Sequence, residues 1–135
     1  MKTGMFLLKQ VLHHDTWQVF ILLGGYDWTN PKTIDELMPS KVPILSLNKC
    51  RNAYGAHSVL SSVICAGWTE GKKDSCEGDS GGPLVWQENQ RWYLIGLVSW
   101  GYGCARPNYP AIYTRTDYYY DWIDLQTKGS KFCTT

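Results

Sequence analysis

The stretch Asp74-Ser-Cys-Glu-Gly-Asp-Ser-Gly-Gly-Pro83 decides how the rest of the chain is interpreted, because it sets a serine between glycines. Glycine lets the backbone turn tightly and approach a bound molecule without a Cβ in the way. The amide groups of Gly78 and Ser80 are then natural donors to a developing oxyanion. The loop around Ser80 is therefore the predicted chemical centre of the chain.

The residues that follow this loop favour a β-hairpin. Pro83-Leu-Val-Trp86 and the run 92–100 are apolar at nearly every position, and the polar turn 87–90 separates them. Such runs are typical of buried strands in a sandwich or barrel. The pattern Gly78-x-Ser80-x-Gly82 also matches the nucleophile elbow of α/β-hydrolases, but an elbow needs a helix after the serine. The hairpin argues against that alternative.

The remaining segments also favour β-structure. We predict strands over 21–23, 42–45, 59–66 and 111–116. The strand over 42–45 is expected at a sheet edge, because Pro43 cannot donate to a hydrogen-bond ladder. Short strands without alternating βα units indicate an all-β barrel or sandwich.

A short helix is expected over 46–54, with Ser46 or Asn48 as its N-cap. This helix carries Cys50. A bridge from Cys50 to Cys65 would close a compact loop and contribute about 3 kcal/mol by the chain-entropy estimate.

A second helix is expected over 118–126, with Asp117 as its N-cap. Its apolar residues Tyr119, Trp122 and Ile123 recur at helical spacing, so this face is expected to dock on the sheet. Residues 1–20 show no clear period of either kind, and we expect a poorly specified lead-in there.

Composition excludes two classes of partner. The 135 residues carry a net charge of +1 without a basic cluster, whereas nucleic-acid binding needs several Lys or Arg on one face. The longest apolar runs, such as 19–23, are far shorter than the roughly 20 residues that span a bilayer. The N-terminus begins like a signal peptide, but Lys9 interrupts the apolar run and no small-residue cleavage site follows. We therefore expect no nucleic acid partner, no membrane span and no competent signal peptide.

The five cysteines are too widely spaced for a zinc site, which usually contains a close C-x₂₋₄-C pair. No metal and no cofactor are expected. Disulfides are the better interpretation, and they imply a secreted or lumenal compartment. One cysteine is left over. Cys133 is either a free thiol on a loose tail or the partner of a cysteine outside this chain.

The longer string Gly71-Lys-Lys-Asp-Ser-Cys-Glu-Gly-Asp-Ser-Gly-Gly-Pro-Leu84 closely resembles the active-site loop of the trypsin/chymotrypsin family of serine endopeptidases. The resemblance continues through Val98-Ser-Trp-Gly-Tyr-Gly-Cys-Ala105 and Pro110-Ala-Ile-Tyr-Thr-Arg115, and it covers about residues 21–124. It implies an all-β fold, namely the C-terminal six-stranded antiparallel β-barrel half of a trypsin-like double barrel with a short C-terminal helix. The implied organisation is a lead-in over 1–20, a partial protease domain over 21–126 and a tail over 127–135.

The resemblance also implies roles for the residues of the loop. Ser80 is similar to the nucleophile, and the N–H groups of Gly78 and Ser80 are similar to the oxyanion hole. Asp79 resembles the carboxylate that pairs with a new N-terminus after zymogen cleavage. Asp74 lies where trypsin-like members keep the acid of the specificity pocket. This implies cleavage after Arg or Lys, because a buried carboxylate favours a cationic partner.

The same resemblance implies the walls of the pocket. Cys76 and Cys104 are similar to the disulfide that joins the two walls. Ala111 lies where glycine is usual, so its methyl group weakens the inference of an Arg or Lys preference. The other implied substrate-binding residues are Ser75, Ser99, Trp100 and Gly101.

The mechanism of this family needs a histidine base and an aspartate, and both precede the serine in the family's sequence order. His13, His14 and His57 precede Ser80, but none lies in the family's Ala-Ala-His-Cys context. Each is expected to be an ordinary exposed residue. Loss of the base in a serine protease lowers kcat by about 10⁶. The chain is therefore expected to be inactive on its own.

Two functions follow from these observations. The first is a truncated, extracellular trypsin-like serine endopeptidase, with Arg- or Lys-containing peptides as substrates and a missing N-terminal barrel as a possible partner. The alternative is a non-catalytic barrel module that binds basic peptides or a protein. The intact Asp74, Gly78 and Ser80 argue mildly against the alternative, because a binding module does not need the nucleophile.

Overall fold

A computed structural model describes residues 5–7, 18–23 and 38–128 of the chain, with side-chain burial from Ser40 onward. The strands in this part are β1 Met5–Leu7, β2 Gln18–Leu23, β3 Met38–Leu45, β4 Val63–Ala66, β5 Pro83–Glu88, β6 Arg91–Trp100 and β7 Ala111–Arg115. Helix α1 covers Leu47–Tyr54, a 3₁₀ turn covers Asp117–Tyr119, and helix α2 covers Tyr120–Gln126.

The strands from β2 to β7 form one antiparallel arrangement. Each of these six strands pairs with two others of the set, in the order β6-β5-β2-β3-β4-β7, and β7 pairs again with β6. Strand β1 adds to β6 in parallel, with Met5 opposite Trp92. The prediction of an all-β, antiparallel fold that resembles one barrel of a double-barrel domain, with a short C-terminal helix, is confirmed.

The hairpin after the serine loop forms as the sequence predicts. Strands β5 and β6 pair with Glu88 opposite Arg91. Asn89 and Gln90 connect them with φ of 49° and 64°, and these left-handed values match a tight two-residue hairpin turn. Burial is limited to the middle of β6, since Ser99 and Trp100 at its end are exposed. The expectation of a strand buried along its whole length is wrong for this end.

Strand β3 is an interior strand, so the prediction that residues 42–45 form an edge is wrong. It pairs with β2 on one side and with β4 on the other. The carbonyl of Pro43 accepts a hydrogen bond from the N–H of Gly67, which follows the last residue of β4. In a strand the nitrogen of a residue faces the same side as its carbonyl. The missing N–H of Pro43 therefore falls at the end of the ladder.

Two strands lie in or begin in the region where the sequence shows no period. Strand β1 lies within residues 1–20, and β2 begins at Gln18. The pairing partners of both are far away in the sequence, in β6, β3 and β5. Local periodicity does not contain this information, because strand formation depends strongly on neighbouring strands. Strand β4 is shorter than the predicted 59–66, because residues 60–62 form a turn.

Two hydrophobic clusters hold these elements together. The larger one lies among the strands and comprises Val42, Ile44, Ile64, Ala66, Leu84, Ile95, Val98, Ala111 and Tyr113. The smaller one joins α1 to the strands and comprises Cys50, Tyr54, Val59, Cys65 and Ile112. The disulfide Cys50–Cys65 lies in this second cluster with both sulfur-bearing residues buried. It therefore fixes α1 against β4.

Helix α1 begins and ends as its sequence predicts. The Ser46 hydroxyl accepts a hydrogen bond from the N–H of Lys49, so Ser46 rather than Asn48 is the N-cap. Gly55 ends the helix with φ of 85°, and its N–H donates to the carbonyl of Arg51.

The C-terminal segment differs from its prediction in two respects. Asp117 does not act as an N-cap, because its carboxylate binds the guanidinium of Arg115 at 2.6 and 2.7 Å. The two parallel bonds of an Arg–carboxylate pair add energy and geometric specificity that a single bond from a backbone N–H lacks. The expected apolar face of α2 does not dock either, since Trp122 is 62% exposed and Tyr119 is 40% exposed.

The described residues contain no helix that is both long and apolar enough to cross a membrane. The same part of the chain contains no group of three or more His, Cys, Asp or Glu residues arranged to hold a metal ion.

Candidate active site

A cavity of about 200 Å³ lies between the serine loop and the end of strand β6. Its lining includes eight of the residues singled out from the sequence, which are Ser75, Cys76, Ser80, Ser99, Trp100, Gly101, Cys104 and Ala111. Glu77, Val98 and Gly103 complete the lining. Asp74, Gly78 and Asp79 are not part of the lining, although all three belong to the same loop.

The serine loop has a tight conformation that depends on its glycines. Gly78 and Gly81 have φ of 95° and 82°, values that favour glycine. A Cβ at Gly82 would lie 2.8 Å from the carbonyl oxygen of Asp79, so this position also needs glycine. The loop is anchored to β6, because Gly81 donates to Val98 and Val98 donates to Gly82, both at 2.9 Å. Ser80 is consequently exposed at the surface, where it lines the cavity.

The N–H groups of Gly78 and Ser80 have no acceptor among the residues that the structure describes. Neighbouring N–H groups of the loop are engaged, since Asp79 donates to the carbonyl of Cys76 at 3.0 Å. The Asp79 carboxylate in turn accepts from the N–H of Cys76 at 2.8 Å. The two amides on either side of Asp79 thus remain available to a ligand.

Asp74 is half-buried beside the cavity and is held by backbone groups. One carboxylate oxygen accepts from the N–H of Ser75 at 2.9 Å, and the other accepts from the N–H of Ala105 at 3.0 Å. Burial raises the pKa of Asp74 above its ordinary value, and these hydrogen bonds oppose the rise. A cationic group beside Asp74 would offset this cost of burial and stabilise the ionised carboxylate.

Ser75 lines the cavity and contacts Tyr113, which is not part of the lining. Their hydroxyl oxygens are 3.3 Å apart, and both residues are buried. Burial raises the pKa of Tyr113 far above its ordinary value, so the phenol is neutral at physiological pH. A neutral phenol can donate a hydrogen bond while Ser75 presents its hydroxyl to the cavity.

Two walls face each other across the cavity. The disulfide Cys76–Cys104 joins the serine loop to the segment after β6. Gly101 lies opposite Ala111, and a Cβ added at Gly101 would be 3.7 Å from the Cα of Ala111. Ala111 is buried and lines the cavity. Its methyl group therefore occupies space that a glycine would leave to a ligand.

Tyr54 links both walls to helix α1, and the sequence analysis did not identify it. Its hydroxyl donates to the carbonyl of Pro110 at 2.8 Å and accepts from the N–H of Tyr102 at 3.4 Å. Its ring also meets the ring of Trp100 edge-on, with centroids 5.0 Å apart. Burial raises the pKa of Tyr54, so its hydroxyl stays protonated and can donate. Its place four residues after Cys50 gives no local signal of this role.

The described residues do not bring a histidine to Ser80. His57 is exposed in the turn between α1 and β4, and it is not part of the cavity lining. The exposure expected for His57 is confirmed. His13, His14 and Cys133 lie outside the described residues.

The sequence of this chain is similar to those of known proteins. The family model described as Trypsin matches residues 13–123 of the chain. Trypsin-1 of Astacus astacus is 49% identical over 111 residues, which is 82% of this chain and 47% of that protein. Trypsin eta of Drosophila melanogaster is 49% identical over 102 residues, 76% of this chain and 37% of that protein.

A longer relative matches as well. Coagulation factor XI of Bos taurus is 37% identical over 121 residues, which is 90% of this chain but 19% of that protein. The chain thus spans about half the length of Trypsin-1 and less of the other two. The residues that the family model matches make up most of this chain and include the serine loop, the cavity lining and both disulfides. The chain therefore belongs to the trypsin family of serine proteases.

Proposed function

We propose that this chain provides the nucleophile and the specificity pocket of a trypsin-like serine endopeptidase, which hydrolyses peptide bonds after Arg or Lys. The observation that carries the proposal is the cavity that Ser75 and Ser80 line together, with the Asp74 carboxylate accepting a hydrogen bond from the N–H of Ser75. Membership of the trypsin family supports the same reaction.

In the proposed mechanism the cationic side chain of the substrate enters the cavity. Asp74 balances its charge, while the Ser75 hydroxyl, which contacts that of Tyr113, offers a hydrogen bond. The Ser80 hydroxyl then attacks the carbonyl carbon of the next peptide bond. The N–H groups of Gly78 and Ser80 stabilise the negative oxygen that forms, an effect commonly worth about 10²–10³ in kcat per donor.

A base must accept the proton of Ser80, and no histidine of the described residues lines the cavity. His57 lies outside the cavity lining. The proposed mechanism therefore takes its base from residues that the structure does not describe or from another polypeptide, such as a first barrel of the same family. The described part alone is expected to bind a basic side chain and to catalyse poorly.

Secretion is part of this proposal. Two disulfides, Cys50–Cys65 and Cys76–Cys104, support an oxidising compartment. The proposed substrates are accordingly extracellular peptides or proteins that contain Arg or Lys.

A binding module that retains the pocket without catalysis is the second candidate. The observation that favours it is the lack of a described base near Ser80. Both candidates require the pocket, and only the first requires a reactive Ser80.

Labelling of the full chain with a fluorophosphonate probe separates the two functions. Free imidazole is added as an external base. The endopeptidase proposal expects labelling that rises with imidazole, falls when benzamidine fills the pocket and is absent in Ser80→Ala. Benzamidine binding without labelling at any imidazole concentration favours the binding module. A chain that does not bind benzamidine overturns both.

A further inference from the structure

Two loops, 69–73 and 105–108, lie against each other and carry positive charge that the proposed mechanism does not use. Gly71 is buried with φ of 76°, and a Cβ added there would collide with the carbonyl oxygen of Ala105. The same Cβ would lie 3.0 Å from the nitrogen of Pro107. The backbones of the two loops are therefore in direct contact, although strands β5 and β6 separate them in the sequence.

The pair of loops is fastened on both sides of this contact. On one side the N–H of Asn108 donates to the carbonyl of Thr69 at 2.9 Å. On the other side the disulfide Cys76–Cys104 joins the segments that adjoin the loops. Side chains between these two fastenings consequently start from backbone positions that are fixed relative to one another.

Three exposed cations lie between the fastenings, and they come from both loops. Lys72 and Lys73 belong to the first loop, and Arg106 belongs to the second. The guanidinium of Arg106 lies over the ring of Tyr109, 4.7 Å from its centroid. This contact restricts the position of the guanidinium, and an arginine held in this way can still donate to a carboxylate. The fold thus assembles a basic cluster that the sequence does not show as a run.

The described part of the chain does not neutralise this cluster. Neither Lys72 nor Lys73 has an ion pair there. Glu70 is the one acidic residue of the two loops. The next carboxylate in the sequence, that of Asp74, accepts backbone hydrogen bonds with both of its oxygens. The two loops therefore present three cations and one carboxylate to the solvent.

The size and composition of this surface favour an acidic peptide as its ligand. Clustered cations attract ligands with closely spaced negative charges. The guanidinium matches a carboxylate with two parallel hydrogen bonds, and an ammonium group accepts a carboxylate in many orientations. Nucleic acids commonly engage about 6–10 cations, twice or more the number present on these loops. The exposed Pro107 adds apolar surface that a peptide side chain can cover.

We propose that Lys72, Lys73 and Arg106 form a docking surface for an acidic segment of a partner protein. None of the three residues lines the cavity, so this surface does not depend on the proposed function. All three are exposed, so each is expected to contribute about 1.5- to 5-fold in affinity.

The test uses the full chain and a fluorescein-labelled hexaglutamate peptide, with hexaglutamine as the uncharged control ligand. Affinities are measured by fluorescence anisotropy at low and high salt, because salt screens contacts between exposed charges. The variants are Lys72→Gln/Lys73→Gln and Arg106→Gln. The matched control is Lys49→Gln/Lys128→Gln, which removes two charges from exposed positions outside the two loops.

Hexaglutamate should bind the parent at low salt, whereas hexaglutamine should not. The affinity should fall by about 2- to 25-fold in the double lysine variant and by about 1.5- to 5-fold in Arg106→Gln, and it should not change in the control. Benzamidine should bind all of these variants as tightly as it binds the parent.

Two results would overturn the proposal. If hexaglutamate binds the double lysine variant and the control equally well, the two loops do not form the docking surface, and the proposed function is unaffected. If a sulfated oligosaccharide or a single-stranded oligonucleotide of equal charge binds these three residues more tightly than hexaglutamate does, the ligand is not an acidic peptide.

Discussion

Replacement of Tyr54 by phenylalanine is expected to loosen both walls of the cavity at once. The change removes one oxygen atom and leaves the ring in its place. The carbonyl of Pro110 then loses a 2.8 Å hydrogen bond in a buried position, and the N–H of Tyr102 loses a longer one of 3.4 Å. An unsatisfied buried polar group costs about 1–3 kcal/mol. The free energy of unfolding should therefore fall by about 1–2 kcal/mol, because the Tyr102 N–H is only partly buried.

The assay for this prediction combines thermal unfolding with benzamidine titration by calorimetry. For a chain of this length, a loss of 1–2 kcal/mol lowers Tm by roughly 3–10 °C. Benzamidine should also bind several-fold more weakly, since Tyr102 and Pro110 flank the lining residues Gly101, Gly103 and Ala111. Tyr118→Phe is the matched control, because Tyr118 is 57% exposed on the 3₁₀ turn. If Tyr54→Phe matches this control in both Tm and affinity, the hydroxyl of Tyr54 does not hold the walls.

Three further predictions concern the pocket and the core. Because burial raises the pKa of Asp74, this residue should become protonated at a higher pH than an ordinary aspartate, and benzamidine binding should weaken at the same pH. Calorimetry from pH 8 to pH 4 measures this change. The Asp74→Asn variant should bind benzamidine weakly at every pH. Ala111→Gly removes the methyl group from the cavity wall and should strengthen binding of arginine-based guanidines relative to benzamidine. Equal changes for both ligands would contradict the steric role. Replacement of Cys50 and Cys65 by alanine should lower the free energy of unfolding by about 3 kcal/mol, measured by urea denaturation.

Local sequence signals predicted those elements whose stability depends on neighbours in the chain. The hairpin of β5 and β6 is one example, because its turn residues and its apolar runs are contiguous. Helix α1 is another, since Ser46 and Gly55 mark its ends within ten residues of each other. The glycines of the serine loop likewise predict a tight backbone turn, and Gly78 has the positive φ that such a turn requires.

Features that depend on distant partners were missed or predicted wrongly. Pro43 marks an edge strand in isolation, but the position of Gly67 shows that its missing N–H falls at the end of a ladder. Tyr54 contacts residues 48 and 56 positions further along the chain. The apolar residues of α2 have helical spacing, but Trp122 remains exposed because the described strands offer it no groove. Sequence spacing shows which residues share one face of a helix, but contacts with distant elements determine whether that face is buried.

The pocket and the base of this active site are separable in physical terms. Every described contact that shapes the pocket comes from within residues 40–128, through Tyr54, the Cys76–Cys104 disulfide and the Ser75–Tyr113 pair. His57, the one histidine in this range, does not line the pocket. Binding of a basic side chain and transfer of the Ser80 proton can therefore be measured one at a time in the same chain, the first with benzamidine and the second with imidazole. If imidazole accelerates labelling of Ser80 and Asp74→Asn leaves that acceleration unchanged, then ligand binding and proton transfer are independent. If Asp74→Asn abolishes the acceleration, then the pocket also determines the reactivity of Ser80.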